Sequence, residues 1–444
     1  MQRLRGGDQL ALSADCAPIT TDPIQREQDY ETIKAECWCC SVDPGRDRRQ
    51  HRGRSIKRWQ SDSSHKTKRQ PPVNHPPHGS GEFGDSVVDL TLAQIAAFEA
   101  GREEFESVET AEGGLGPLFN NNSCASCHSL QTSGGASDTT VTRFGRVTNG
   151  HFDPLDALGG SLLQKFAIND ELLERVPAEA NVVAQRLTTP LFGAGLTEAI
   201  PDEAIVANAQ RRQPDGIAGR AAMIIDVATG QTHVGRFGWK AQHSSLLSFA
   251  ADAYLNEMGI TTRFFPTENA PNGNTALLAK YDKLTDPEDQ VDPATGKSDI
   301  DMAADFMRFL APPPTLQTTG SIAQGAHIFD KLQCDACHVP AMLTGASPIS
   351  ALAQKRVALF SDLLLHDMGA LGDGIEQGAA RGREMKTAPL WGLRARRPYL
   401  HDGRAATIPE AIRGHDGEAA AARNRFEALS SEDQAHLVDF LNSI

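Results

Sequence analysis

Apolar and polar residues alternate at helical spacing in several short segments of the chain. Residues 89–107 carry apolar side chains at Ile95 and Phe98, with Phe105 further on. Thr91 stands where the N-cap of such a helix is expected. This pattern predicts that ordered structure begins near Val87 with an amphipathic helix.

A second helix is predicted over residues 430–444. Ser430 and Asp433 can cap its first turn, and its apolar face consists of Leu437, Leu441 and Ile444. We expect this helix to pack against another predicted helix at residues 321–331. Between residues 155 and 260 the pattern mixes short helical and extended stretches without a clean period.

Residues 1–86 differ in composition from the rest of the chain. They are rich in Arg, Ser, Pro and His and have little apolar periodicity, which is typical of disorder. They contain no apolar core of a signal peptide, and no part of the chain is apolar for the ~18 residues that a membrane span needs. We predict a disordered or mis-annotated N-terminal extension and no transmembrane segment.

The formal net charge of −14 is unevenly distributed. Residues 1–85 carry a charge near +2, and the remainder carries −16. An acidic body argues against binding of nucleic acid, because phosphate neutralisation needs clustered Lys and Arg.

A Cys-x2-Cys-His motif occurs twice, and each copy follows a Gly-x3-Phe element in a predicted helix. The first copy comprises Gly101, Phe105, Cys124, Cys127 and His128. The second copy, 210 residues downstream, comprises Gly325, Phe329, Cys334, Cys337 and His338. The shared plan indicates a duplicated module.

Covalent haem attachment accounts for the residue types in both copies. Two thiols can add to the two vinyl groups of a porphyrin edge, and the adjacent histidine can place a ring nitrogen under the iron. A thioredoxin-type dithiol needs a strand–helix setting, and a zinc site needs its cysteine pairs about 15–20 residues apart. The repeat therefore predicts two covalently bound haem c groups with His128 and His338 as proximal ligands.

The residues alone leave the sixth ligand of each iron open. An electron-transfer haem takes two strong ligands, whereas a haem that reacts with peroxide needs an open position. For the second haem the candidates are Met342, His366, Met368, Met385, His401 and His415.

Longer motifs add a family resemblance. These are GLGPLFNNNSCASCH, FDPLDALGGSLLQ, RLTTPLFGAGLTEAIPD, GRFGWKAQHSSLLSFAADAYLNEMGIT, DLLLHDMGALGDG and KTAPLWGLRARRPYLHDGRAATIPEAI. Together they make residues 88–444 resemble the dihaem oxidoreductases, which include proteins labelled thiol oxidoreductases. That family is related to the bacterial dihaem cytochrome c peroxidases.

The resemblance implies a distal ligand for the second haem. In the peroxidases this ligand follows the His of a PYxHDG turn by 14 residues, and counting from His401 reaches His415. Thr407 and Glu410 form a sequence-level capping box for the helix that leads to His415. The second haem would then have two histidine ligands, while His366 and His401 would be residues at the haem edge.

The resemblance also implies roles for two residues near the first haem. Trp239 matches a tryptophan that lies between the two haems, and Glu257 matches the acid/base glutamate above the reactive iron. The sequence departs from the family at Phe249, where a glutamine is expected, and the Trp-to-Glu spacing is two residues shorter. His243 is a residue that could fill the distal pocket instead.

Haem propionates and calcium are further implications of the resemblance. Arg236, Arg394 and Arg404 flank the motifs and could pair with propionates. An inter-haem calcium would use backbone carbonyls around Arg396 and Pro398.

The predicted fold is mainly α, with two cytochrome c-like domains after the N-terminal extension. The first domain, residues 87–312, carries the reactive haem and a large insertion. The second domain, residues 318–444, carries the electron-transfer haem, and the APPPT linker at 311–315 separates the two.

The predicted function is electron transfer from the second haem to the first, where hydrogen peroxide or a similar small oxidant is reduced. The electron donor would be a cytochrome c or a cupredoxin-like protein. The alternatives are a non-catalytic dihaem electron carrier and a dihaem oxidase acting on a protein or thiol substrate. Because haem c is attached outside the cytoplasm, we expect a periplasmic location, although no signal peptide is visible.

Overall fold

The computed structural model describes residue 78 and residues 81–283 and 289–444. Most of the predicted N-terminal extension lies outside these residues, as does the segment 284–288. Phe83 packs against Phe192 at 5.4 Å between ring centres, and Asp85 and Ser86 are buried. Packing against the rest of the chain thus begins a few residues before the predicted boundary at 87.

The helices of the described residues are short. They are α1 (Leu92–Glu106), α2 (Cys124–Cys127), α3 (Ala194–Glu198), α4 (Asp202–Ala209), α5 (Leu246–Ala253), α6 (Thr275–Tyr281), α7 (Asp299–Phe309), α8 (Gly320–Lys331), α9 (Ile408–Arg413), α10 (Ala420–Glu427) and α11 (Ser431–Ser443). A π-helical turn, Tyr254–Met258, continues α5. Among the helices described here, none has the length and apolar character required to cross a membrane.

The strands form small antiparallel sheets. They are β1 (Leu118–Phe119), β2 (Thr140–Thr148), β3 (His151–Asp153), β4 (Leu162–Leu163), β5 (Phe166–Ala167), β6 (Val182–Leu187), β7 (Met223–Ile225), β8 (Thr232–Val234), β9 (Met342–Leu343), β10 (Arg356–Val357), β11 (Leu365–Asp367) and β12 (Glu384–Lys386). Strand β2 pairs with β3, β4 and β6, and the other sheets have two strands each. The sequence pattern did not predict the sheet that β2 forms with β3, β4 and β6.

Three helices begin at caps that the sequence predicts. The side-chain oxygens of Thr91, Thr407 and Ser430 accept hydrogen bonds from backbone amides in the first turns of α1, α9 and α11. Thr407 and Glu410 complete a capping box, in which the Glu410 side chain accepts from the Thr407 amide. These predicted helix starts are confirmed.

The repeated glycine lies at a helix crossing in both halves of the chain. A Cβ added at Gly101 of α1 would lie 2.3 Å from the carbonyl oxygen of Met302 in α7. A Cβ added at Gly325 of α8 would lie 2.0 Å from the carbonyl oxygen of His436 in α11. Only glycine permits such close backbone approach. The predicted packing of α8 against α11 is confirmed.

Each Cys-x2-Cys-His motif borders its own apolar core. The first core surrounds α1, α5 and α7 and includes Phe105 and Phe306, with Cys124 packed against it. The second surrounds α8, α9 and α11 and includes Phe329 and Phe440, with Cys334 packed against it. Two cores fit the expected pair of cytochrome c-like domains, whose boundaries at 312 and 318 stay a prediction.

Candidate haem centres

The two cysteine pairs occupy single helical turns. The first pair delimits α2, and the second begins a 3-10 turn, Cys334–Ala336. The amide of the following histidine donates to the carbonyl of the first cysteine, at 3.0 Å for His128 and 2.9 Å for His338. The thiols are not disulfide-linked, and burial raises the pKa of Cys334 to about 12. One turn of chain thus carries the two thiols and the imidazole that haem attachment requires.

Both histidines hold one ring nitrogen against a backbone carbonyl. Nδ1 of His128 lies 3.3 Å from the oxygen of Gly135, and Nδ1 of His338 lies 3.0 Å from that of Phe360. A carbonyl only accepts, so Nδ1 of each ring carries the proton. Nε2 of His338 is left as an acceptor, whereas the ring of His128 has a second hydrogen bond, to the Thr189 backbone. Burial lowers the pKa of each ring to about 4, which keeps it neutral. A neutral imidazole oriented through its other nitrogen is the form that ligates a metal.

His415 faces His338 across a gap that fits one metal ion. The two ring centres are 6.4 Å apart, and Nδ1 of His415 donates to the oxygen of Ala411 at 2.8 Å. A metal–imidazole bond of about 2.0–2.1 Å on each side, plus roughly 1 Å from each nitrogen to its ring centre, gives roughly 6 Å. His415 directly follows Gly414, the C-cap of α9. It therefore lies just beyond the last helical turn, on which it was predicted to lie.

A cavity with mostly apolar walls surrounds this histidine pair. It is lined by both histidines and both cysteines of the second motif, together with Trp239, Phe329, Leu390, Tyr399, Ile412 and Leu437. The other proposed ligands Met368, Met385 and His401 also line it. Met342 instead packs in a separate apolar cluster beside α4, with its sulfur 3.6 Å from Nδ2 of Asn208.

His366 is bonded on both ring nitrogens. Nε2 lies 2.9 Å from Asp362, and Nδ1 lies 2.7 Å from Glu418 and 3.7 Å from the sulfur of Cys337. Although burial favours the neutral ring, these hydrogen bonds raise the pKa of His366 to about 12. Both nitrogens of His366 are therefore hydrogen-bonded, and the ring lies beside the Cys337 sulfur. This arrangement is consistent with the role at the haem edge that the resemblance implies. Cys337, Asp362 and His366 also form the one three-donor cluster found within the described residues.

Two buried cations line the cavity without an ion-pair partner in the described part of the chain. Lys386 is 9% exposed and Arg396 is 8% exposed. Burial lowers the pKa of Lys386 to about 8 and that of Arg396 to about 10. A buried charge without a counter-charge is costly, and haem propionates are anions of the kind these groups lack. The cavity therefore fits a haem in charge as well as in its paired imidazoles.

The three arginines offered by the sequence for the propionates have other partners. Arg236 pairs with Asp202 and donates to the oxygen of Glu198 at 3.0 Å. Arg394 donates to the oxygen of Ile444 at 3.4 Å, and Arg404 pairs with Asp402 at 2.5 Å. Lys386 was not among the residues predicted from the sequence to pair with a propionate. The sequence feature that could have identified it is a cluster of basic residues without acidic residues among them, KTAPLWGLRARRPY.

Trp239 lies in a wall common to two cavities. It lines the cavity of His338 and also a second, smaller cavity that includes Thr189, Phe237 and Phe249. Its indole N–H donates to the oxygen of Leu187 at 2.8 Å, which fixes the ring. The Thr189 backbone also hydrogen-bonds His128. Trp239 therefore lies between the surroundings of His128 and those of His338.

Glu257 lies next to the first motif. Its Oε2 accepts from Nδ2 of Asn120 at 2.9 Å, and its carbonyl accepts from the amides of Asn120 and Asn121 at 2.7 and 3.1 Å. Nδ2 of Asn121 lies 3.5 Å from the sulfur of Cys127. Burial raises the pKa of Glu257, and the charge of Arg143 opposes that shift. A carboxyl group with this shift can exchange a proton nearer neutral pH.

Phe249, which stands where the family has a glutamine, lies on α5, and His243, the other candidate for the distal pocket, precedes that helix. The ring of Phe249 stacks on Phe237, with ring centres 5.9 Å apart. Nδ1 of His243 lies 2.9 Å from Oγ of Ser248, and Nε2 lies 3.3 Å from the carboxylate of Asp252. His243 is thus tied to side chains of α5.

The region expected to hold calcium carries positive charge. Arg396 belongs to it, and Lys386 is close enough for each cation to oppose the other's charge. Two buried cations disfavour a divalent cation beside them. These residues therefore do not fit a calcium ion.

Each motif carries two thiols and an imidazole on one helical turn, and a cavity surrounds the rings of His338 and His415. These features are those of a haem-binding redox protein. Residues 163–444 match the family described as "Di-haem oxidoreductase, putative peroxidase". The chain belongs to this family, which implies two haems and an oxidoreductase function.

Solved structures give more distant likenesses. Hydrazine synthase from Kuenenia stuttgartiensis, pressurized with xenon, is 16% identical with a TM-score of 0.38, covering 88% of this chain and 100% of that one. A MauG-like protein associated with microbial copper homeostasis is 14% identical with a TM-score of 0.29, covering 57% of this chain and 88% of that one. No curated protein matches the chain.

Proposed function

We propose that both haems are attached through the Cys-x2-Cys-His motifs and that electrons pass from a bis-histidine second haem to a first haem. There, hydrogen peroxide or a similar small oxidant is reduced. This proposal rests on a difference between the surroundings of His128 and those of His338. The ring of His338 faces that of His415, whereas the ring contact of His128 in the described part of the chain is Phe105 at 6.0 Å. An opposed imidazole favours electron transfer, and a position without one favours ligand exchange.

Different residues of the chain have different roles in this reaction. Bound haem would supply the redox-active iron. Trp239 bridges the two cavities, and Lys386 and Arg396 hold propionate charge. Glu257 accepts a proton from hydrogen peroxide and returns it to the leaving oxygen. With two electrons and two protons, one hydrogen peroxide becomes two waters.

The partner and the location follow from the same chemistry. A cytochrome c or a cupredoxin-like protein would deliver the electrons, and attachment of haem c places the protein in the periplasm. A thiol substrate has little support, because the cysteines of the described residues are those of the two motifs.

The spectrum of the ferric holoprotein tests this function. We expect one low-spin signal from the bis-histidine haem and one high-spin signal that shifts when peroxide or cyanide is added. Two low-spin haems that ignore both additions would identify a non-catalytic electron carrier.

The Glu257→Gln variant is expected to slow the reaction with peroxide by about 10²–10⁴-fold. The amide oxygen can still accept from Asn120, so the fold should be kept. The carboxylate must be deprotonated to act as the base. Since burial raises its pKa, the wild-type rate should fall as the pH drops through that raised value. Stopped-flow rates across the acidic range check both effects.

The same pH series separates a catalytic from a structural role. In the Glu257→Gln variant the acidic fall of the rate should disappear. A variant with the wild-type rate and the wild-type pH profile would remove Glu257 from the mechanism.

The Trp239→Phe variant is expected to slow electron transfer between the haems while leaving both haem spectra intact. Phenylalanine keeps an apolar ring but is harder to oxidise and loses the N–H donated to Leu187. Trp391→Phe is the matched control, because Trp391 lines only the smaller of the two cavities. Rapid reduction of the second haem, followed optically at the first, measures the rate. Equal rates in both variants would argue against a relay at Trp239.

A further inference from the structure

The sheet around β2 presents polar side chains on one face. Arg143 of β2 lies opposite Leu162 of β4, and Val141 of β2 lies opposite Arg186 of β6. Side chains of directly paired residues share a face, as do those two positions apart. Arg143, Arg186 and Gln164, which follows β4 by one residue, therefore project from the same side. On the other face of β6, Val183 and Gln185 are solvent-exposed.

Each of these three side chains has a buried polar atom without a hydrogen-bond partner in the described part of the chain. The atoms are Nε of Arg143, Nη2 of Arg186 and Oε1 of Gln164. Gln164 is 2% exposed and Arg186 is 5% exposed. Buried polar atoms are nearly always paired, so three unpaired atoms on one face indicate a missing ligand.

Contacts of the other atoms locate this face. Arg186 forms an ion pair with Asp373, with Nε 2.7 Å from a carboxylate oxygen. Nε2 of Gln164 donates to the oxygen of Asn256 at 3.3 Å, one residue before Glu257. Arg143 is close enough to Glu257 for their charges to interact. Arg143 and Gln164 therefore border the carboxylate proposed as the acid/base.

We propose that Arg143 and Gln164 complete, with Glu257, the peroxide-binding side of the first haem, and that this site takes small anionic or peroxidic ligands. The proposal rests on the proposed function. Gln164 supplies the amide that the family resemblance expects where this chain has Phe249. Glu257 takes the proton of hydrogen peroxide, and Arg143 donates to the oxygen on which negative charge develops. When the O–O bond breaks, that oxygen receives the proton and leaves as water.

Fluoride is the probe for the site, because it binds ferric haem as an anion and responds to a nearby hydrogen-bond donor. The experiment uses the full-length ferric holoprotein, with fluoride affinity from absorption titration and peroxide rates from stopped flow. Arg143→Met is expected to weaken fluoride binding about 10-fold or more and to slow the peroxide reaction by about 10²–10³-fold. Gln164→Leu should slow the peroxide reaction to a smaller extent.

Arg146→Met is the matched control, since Arg146 lies on the same strand, is partly exposed and pairs with Asp153. It should leave both measurements unchanged. Arg143→Lys retains the charge and guards against a folding defect, and it should recover part of the fluoride affinity. Haem content is measured for every variant.

The outcomes separate this site from the proposed function. Weaker fluoride binding in Arg143→Met, with no peroxide reaction even in the wild type, supports the anion site and rejects peroxide as the oxidant. Unchanged fluoride affinity in Arg143→Met overturns the site. A lower haem content or shifted potential with unchanged fluoride affinity also overturns it, because Arg143 would then hold a propionate. A wild type that binds neither fluoride nor peroxide overturns both.

Discussion

Replacing His415 by methionine is expected to raise the reduction potential of the second haem by on the order of 0.2 V, a fraction of the about 0.8 V that axial ligands span. A thioether stabilises ferrous iron more than an imidazole does. The ring of His415 faces that of His338 at 6.4 Å, and its Nδ1 is held by Ala411. Spectroelectrochemical titration of each haem measures the shift.

The control for this experiment is His401→Asn. His401 lines the same cavity, but its ring contact is with Trp239, at 6.2 Å between ring centres, and not with His338. We expect the second haem to stay low-spin with little change in potential. His415→Ala should instead leave a five-coordinate, high-spin second haem. If His415→Met and His415→Ala both keep the wild-type spectrum, the ligand is another residue, and Met368 and Met385 of the same cavity are next to be tested.

A raised potential of the second haem would also slow the onward transfer of electrons to the first. The higher the potential of the second haem, the weaker it is as a reductant for the first site. The His415→Met variant should therefore accept electrons from the donor more readily and pass them on less readily. Slower steady-state turnover with faster reduction of the second haem would be the signature of this change.

Local signals in the sequence predicted the helices and the attachment turns. Thr91, Thr407 and Ser430 cap helices through contacts within one turn, so a few adjacent residues contain the information. The glycines at 101 and 325 were visible as a repeat, although their role at helix crossings depends on partners far along the chain. The position of His415 came from the family resemblance, and the fold places it opposite His338.

The sheet around β2 could not be predicted in the same way. Strand β2 pairs with β6 about 40 residues later, and the polar face depends on that register. Alternation in TVTRFGRVT, residues 140–148, is a signal for the strand but not for its partners. No pattern in the sequence therefore indicates that Arg143 and Gln164 lie near Glu257. The buried pair Lys386 and Arg396 depends in the same way on the fold.

Serine replacement of Cys334 and Cys337 together is expected to reduce covalently bound haem from two per chain to one. Without thiols the second turn cannot form thioether bonds, while the first turn keeps Cys124 and Cys127. The low-spin signal assigned to the His338–His415 pair should disappear from the denaturation-resistant haem. Intact mass and the absorbance of the denatured, reduced protein in alkaline pyridine measure the loss.

Two further variants make this result specific. Serine replacement of Cys124 and Cys127 should remove the other haem and with it the spectral response to peroxide. Serine replacement of Cys37, Cys39 and Cys40, which lie outside both motifs, should leave the haem content at two. If the Cys334/Cys337 variant keeps two covalent haems, attachment runs through other residues and the duplicated-module interpretation is wrong. If it keeps one haem and still reacts with peroxide in a single turnover, but no longer accepts electrons from the donor, reduction and reaction belong to different haems.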